Sequence, residues 1–360
     1  MKTTAVFCIL LSFSAFADKW DDTNNPKNLD DNYQYQLSAL PLKADLPLNK
    51  TPWSSSYWPR KAGSLNYRWN TPKPIGYKLN SPSRQRVQTM SLEQLAQLSP
   101  AEKFDLVQGH YDYPFSKAVE HGSTPKAKDF EGVCDGWTAA AIQFAEPAPV
   151  EVTNPDGIVI PFGSSDVKAL MSYDISINGK PGALGPVFVG GYCSMPFGMK
   201  LGTPKCQDIN PGAFHVILAN QIGLKKESLA VDVDPKKETW NQPVYGFEFE
   251  IKERTTVKGV AQAYIVHAKM KYAQDVLGEG STGKIFSWEP TVGTVDFASA
   301  VMEVDYILEL DYAGRITGGT WIDESRTNHP DLFWLPTNKI EFTPEFQILN
   351  SIYKPATFVE

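Results

Sequence analysis

The stretch Gly132-Val133-Cys134-Asp135-Gly136-Trp137-Thr138-Ala139-Ala140-Ala141-Ile142 constrains the chain most, because it sets a lone thiol at the entry to a helix. Gly132 and Gly136 permit a tight backbone turn, and Thr138 to Phe144 supplies good helix formers with an apolar stripe. Cys134 is therefore predicted in the first helical turn. Unpaired N–H groups and the macrodipole there favour negative charge, so the thiol is expected to be more acidic than usual and a better nucleophile. The competing reading is a small, buried core cysteine.

The chain opens with Met1-Lys2-Thr3-Thr4, an apolar run from Ala5 to Phe13, and Ala15-Phe16-Ala17 before Asp18. This is the three-part pattern of a secretory signal, predicting residues 1–17 as a signal peptide and a secreted or periplasmic protein. The apolar run is too short to span a bilayer, and no later stretch reaches the roughly 18 apolar residues that spanning needs. Cys8 leaves with the signal, so the mature chain holds Cys134, Cys193 and Cys206. Cysteines tend to pair in an oxidising compartment. Cys193 and Cys206 close a short loop rich in Gly and Pro and are the expected disulfide, which leaves Cys134 free. A bridge from Cys134 to either one would end the nucleophile reading.

With 42% hydrophobic residues, 360 residues can bury one large core or two modest ones. The formal charge of -7 is spread over both signs without a basic patch, so no nucleic-acid partner is expected. Residues 18–90 read as an extended, aromatic-rich N-terminal arm, and the rings from Trp53 to Trp69 are expected to pack into the core. Residues 91–360 read as the catalytic domain. Ser91 and Ser99 each open a short amphipathic helix as cap residues, and Pro100 suits a first helical position. Ser165 to Tyr173 reads as a further helix. His110 and His121 fall in loop-like sequence and read as polar surface.

Strands are expected later in the chain: Pro186 to Gly190, Phe214 to Ala219, Ser228 to Asp234, Tyr245 to Ile251, Ala263 to Lys271, Met302 to Leu310 and Arg315 to Trp321. Helices early and strands late imply an α+β fold, with an antiparallel sheet faced by the Cys134 helix.

A cysteine nucleophile needs a base, and the base an orienting acceptor. His215 in one expected strand, with Asp232 and Asp234 on the next, would bring an imidazole beside a carboxylate. Period-two alternation puts Asp232 and Asp234 on one face and leaves them tied. His267 and His329 lie in segments without a carboxylate on a following strand; His267 is the reserve base. No zinc-type spacing and no H-E-x-x-H occur, so no metal or cofactor is expected, except that Asp232 with Asp234 offers a weak calcium site.

Gly132-Val133-Cys134-Asp135-Gly136-Trp137 followed by Asn210-Pro211-Gly212-Ala213-Phe214-His215 resembles the secreted transglutaminase elicitor family. Trp240-Asn241-Gln242-Pro243-Val244-Tyr245-Gly246-Phe247 looks like that family's elicitor peptide, with Tyr245 where a basic residue usually stands. Trp53 to Pro59, Asn66 to Trp69, and Gly318-Gly319-Thr320-Trp321 through His329-Pro330-Asp331 add to the likeness, which spans roughly Trp53 to Pro336. The resemblance implies a papain-like Cys-His-Asp acyl transferase and, by distance from the Trp240 block, favours Asp232 as the acid, with Asp234 as the alternative. The expected reaction is attack of Cys134 on a glutamine carboxamide, with His215 protonating the ammonia and the acyl group passing to a lysine amine or water. The backbone N–H of Cys134 is one expected oxyanion donor, and the indole N–H of Trp58 or Trp137 a candidate for the second. Expected partners are proteins or peptides bearing glutamine and lysine or another amine. The competing readings are a cysteine peptidase or amidase on the same triad, and a non-catalytic secreted binding module.

Overall fold

A computed structural model of the chain describes residues 20–70, 80–178, 184–191, 208–234, 238–277 and 284–357. The expected signal peptide and the Cys193–Cys206 pair lie outside the described residues.

In chain order the elements are β1 (Lys43–Asp45), α1 (Arg84–Val87), α2 (Leu92–Ala96), α3 (Pro100–Val107), α4 (Pro114–Gly122), α5 (Cys134–Gln143), β2 (Val150–Thr153), β3 (Val159–Phe162), α6 (Ser164–Tyr173), β4 (Pro186–Gly190), α7 (Pro211–Leu218), β5 (Leu229–Asp232), β6 (Asn241–Thr255), β7 (Gln262–Ala273), β8 (Ser299–Leu310), β9 (Ile316–Trp321), β10 (Leu332–Pro336) and α8 (Leu349–Ile352). Among the described residues the large sheet runs β4-β10-β5-β6-β7-β8-β9, with β1 paired to β6 off that path, while β2 and β3 form a separate hairpin. Every pairing is antiparallel. The α+β fold with the cysteine helix against an antiparallel sheet is as expected.

The sheet separates two cores. On one side α5 packs on β5 and β6 with α3, α6 and the ring cluster of Trp53, Trp58, Phe104 and Trp137. On the other, α7 packs on β8 and β9 with Phe214, Phe247, Tyr306 and Phe333. Strand alternation assigns the sides: Leu229 and Val231 of β5 enter the α7 core, and Ala230 the α5 core. The arm is bound into both, with Tyr33 and Tyr35 buried on the α7 side and Trp53 and Trp58 on the α5 side.

Local chemistry explains what the sequence signals. Ser91 and Ser99 each close a capping box, with Gln94 and Glu102, at the starts of α2 and α3. Phe214 to Ala219, expected as a strand, is instead helical: Asn210 caps Gly212, Pro211 stands at the first position, and every residue of α7 is buried. A helix apolar on all faces has no readable period, so its cap and its proline are the only signals it leaves. His121, expected in a loop, closes the last turn of α4.

Candidate active site

Cys134 begins α5, as the sequence predicts, and it is a free cysteine. Two glycines allow the close packing that holds it. A Cβ on Gly132 would stand 2.2 Å from the Tyr57 carbonyl, and one on Gly136 would stand 2.1 Å from the Ser172 carbonyl of α6. The Tyr57 carbonyl in turn accepts from Val133 N at 2.7 Å, which fixes the residue before the thiol.

The sulfur lies under the entry to β6. It sits 3.8 Å from the Thr239 carbonyl and 3.8 Å from Asn241 Nδ2. Asn241 is held in that orientation: Trp334 Nε1 donates to its Oδ1 at 2.8 Å, which turns the amide N–H toward sulfur, and Thr138 Oγ1 donates to its backbone carbonyl at 3.0 Å. Tyr57 and Trp240 pack edge to face, centroids 5.2 Å apart, beside this segment.

Asp232 stands directly across the β5–β6 ladder from Asn241. Its Oδ1 accepts from Trp240 N at 2.9 Å and from Asp234 N at 3.2 Å, while Oδ2 is buried without a partner among the described residues. Burial pushes this carboxyl up to about 7, against the opposing pull of those two amides. Asp234 lies past the end of β5 and is half-buried, which separates two residues that sequence spacing leaves tied.

The expected acidity of Cys134 is corrected by its surroundings. The residue is only 8% exposed, and burial, then the charge of Asp135, push the thiol up to about 12, outweighing the lowering by Asn241. A helix terminus favours a thiolate by at most about 2 kcal/mol, which cannot match full desolvation.

His215 does not join Cys134. It lies on α7, in the core on the opposite face of the sheet, stacked on Phe249 with centroids 3.9 Å apart and bonded through Nδ1 to Tyr306 Oη at 2.7 Å. Its Nε2 is buried without a partner among the described residues, and burial pulls the ring down to about 3. The reserve residue His267 does have a carboxylate on the following strand, contrary to expectation: Asp305 of β8 is its ladder partner, 3.0 Å from Nδ1, and Glu303 is 3.1 Å from Nε2. His329 bonds the Ser325 carbonyl at 2.6 Å and Asp208 at 3.1 Å. Of the two indoles considered as oxyanion donors, Trp137 spends its N–H on the Trp53 carbonyl at 2.9 Å; that of Trp58 is buried without a partner among the described residues. Among the described residues no three His, Cys, Asp or Glu side chains converge as a metal site, Asp232 and Asp234 included.

Asn241 is the site residue that sequence reasoning missed. Its signal was present, since it belongs to the Trp240 block that carries the strongest resemblance, but that block reads as a recognition peptide and not as a wall of the nucleophile. In the structure Asn241, Gln242, Val244 and Phe247 are buried.

At the site, a helix-head cysteine faces an antiparallel sheet with a carboxylate and an amide opposite. The structure is similar to the crystal structure of the GP42 transglutaminase from Phytophthora sojae, with a TM-score of 0.63 at 21% identity over 89% of this chain and 92% of that one. A family model described as Transglutaminase elicitor matches residues 121–348, more than half of the chain, and the chain belongs to that family. Comparison with curated protein sequences gives no match.

Proposed function

We propose that the chain is a secreted cysteine acyl transferase acting on protein-bound glutamine, with Cys134 as nucleophile and Asp232 as the group that accepts and returns its proton. The observation that carries this is the Asp232 carboxyl, one oxygen unpartnered among the described residues, directly across the ladder from the residue whose amide faces the sulfur.

In the reaction, Sγ attacks the glutamine carboxamide carbon while the thiol proton passes to Asp232. Carrying that proton from a thiol near 12 to a carboxylate near 7 costs on the order of 7 kcal/mol. A turnover of about 10 per second allows a total barrier of roughly 16 kcal/mol, so transfer concerted with attack is affordable while a resting thiolate is not required. Asn241 Nδ2 then steadies the charge growing on sulfur. Collapse breaks the carbon–nitrogen bond, Asp232 returns the proton to the departing ammonia, and a thioester remains. An amine or water next attacks the thioester, gives its proton to Asp232, and releases the sulfur. The unpaired first-turn amides of α5, that of Cys134 among them, are the natural donors to the oxyanion.

The test is ammonia release from a glutamine peptide by the native chain and by Cys134→Ala. Release by the native chain and none above background by the variant is expected. Equal release by both removes the assignment. The buried, weakly acidic thiol favours a second reading, a binding module with an inert cysteine. Absence of any release from the native chain, together with no labelling of Cys134 by a thiol reagent at neutral pH, would establish that reading instead.

A further inference from the structure

Resting on that acyl-transfer reading, we infer that the hydroxyl of Tyr57 is a second donor to the oxyanion, which makes this residue of the N-terminal arm a catalytic one. Tyr57 is pinned on both sides of its backbone. Its N–H donates to Asp275 Oδ1 at 3.3 Å, and its carbonyl accepts from Val133 N at 2.7 Å, one residue before the thiol. The ring lies against the helix head, where a Cβ on Gly132 would stand 2.6 Å from its Cδ2. It also meets Trp240 edge to face, and Trp240 is flanked in the chain by Thr239 and Asn241, the two residues that face the sulfur. Tyr57 thus bridges the two walls between which Sγ lies. The next residue, Trp58, takes a left-handed φ of 51°, which a bulky side chain adopts only where its surroundings impose it. Its ring enters the stack of Phe286 and Trp69, while that of Tyr57 stays at the helix head.

The hydroxyl has no task in the fold. It makes no hydrogen bond among the described residues, and it is not one of the fully buried unpaired atoms, so it meets open space beside the site. The ring itself is only 6% exposed, and a phenylalanine would pack as well against Gly132 and Trp240. Burial, then the charges of Asp275, Asp129, Tyr67 and Cys134, push the phenol up, which keeps it a protonated donor at neutral pH within electrostatic reach of the sulfur. As Sγ attacks, the carbonyl π electrons move onto oxygen. Tyr57 donates its O–H to that anion and keeps its own proton, while the thiol proton goes to Asp232. On collapse the carbonyl re-forms, the carbon–nitrogen bond breaks, and the hydrogen bond weakens again. A donor that strengthens only as charge develops lowers the barrier to attack without tightening substrate binding.

The experiment compares ammonia release by the full chain and by Tyr57→Phe from two peptides, one bearing glutamine and one bearing its γ-thioamide, whose sulfur accepts hydrogen bonds poorly. Tyr57→Phe is expected to lower kcat on glutamine by at least about tenfold, in the direction of the roughly 10²-fold loss for one oxyanion donor, with KM within about threefold and an unchanged melting temperature. On the thioamide its kcat is expected to fall less than about threefold, since the donor has little to bind there. A glutamine loss below about tenfold, or equal losses on both peptides, overturns the inference, the latter because it marks a ring that only shapes the site. A Tyr57→Phe chain that fails to fold overturns it as well, because the hydroxyl would then serve the fold. No ammonia from either peptide with the native chain overturns the acyl-transfer reading itself, so the two failures are distinguishable.

Discussion

The two faces of the large sheet each bury a polar group among rings, and they treat it in opposite ways. On the α7 face His215 is sealed between Phe249 and Tyr306, its imidazole held neutral by burial and tied by a single bond. On the α5 face Asp232 is as deeply buried but stands across the ladder from Asn241, whose amide faces the sulfur of Cys134, and among the described residues one of its oxygens has no partner. A histidine is the usual base for a cysteine, so composition alone directs attention to His215. The difference teaches that proximity to the reacting atom decides the role, and that a ring locked into an aromatic core contributes to stability instead.

The largest expected effect that separates the faces is Asp232→Asn, which should lower ammonia release by about 10²-fold to 10³-fold, the range for loss of a positioned general base. A loss under threefold would show that the carboxylate only orders the β5–β6 ladder. Asn241→Ala comes next. Removing the donor aimed at sulfur should cost about tenfold in rate, read in the same assay, since a hydrogen bond to a charged group is worth about 1.5–3 kcal/mol. On the other face His215→Gln should leave the rate within about threefold while lowering stability by about 1–3 kcal/mol, because Tyr306 Oη loses a well-aligned partner. Urea unfolding measures that cost; a large rate loss without a stability loss would reverse the comparison.

The smallest effect is in the pH dependence of stability. Asp331 has a folded pKa raised to about 8, so it contributes stability that is complete below the unfolded carboxylate range and lost as pH rises through 8. His215 has a folded pKa lowered to about 3, so its contribution is complete above the unfolded value near 6.5 and lost as pH falls toward 3. Asp331→Asn should flatten the alkaline side of the stability curve, and His215→Gln the acid side.

Much of the scaffold could be read in the chain. The serine caps of α2 and α3, the head of α5 at Cys134, α6, and the strands β4 to β9 all follow from caps, glycines and alternation. The short strands β1, β2, β3 and β10 and the helical nature of α7 did not, since brief or fully apolar segments carry no period that separates the two structures. Around the candidate site, the place of Cys134 at the head of α5 was legible, and strand alternation puts Asp232 on the sheet face that α5 covers. Three matters were not. Whether Cys134 is acidic depends on its burial under Thr239 and Asn241, which helix position does not report. Which face His215 occupies depends on its being helical. That Asn241 turns its amide to sulfur depends on Trp334, a residue 93 positions away in the chain.

The most direct test of the central claim, that the carboxylate and not the imidazole serves the sulfur, is the pH profile of kcat/KM for ammonia release in the native chain, Asp232→Asn and His215→Gln. The rate should rise through a limb near pH 7 in the native chain and in His215→Gln, and that limb should vanish in Asp232→Asn. A limb that survives in Asp232→Asn and disappears in a folded His215→Gln would contradict the account.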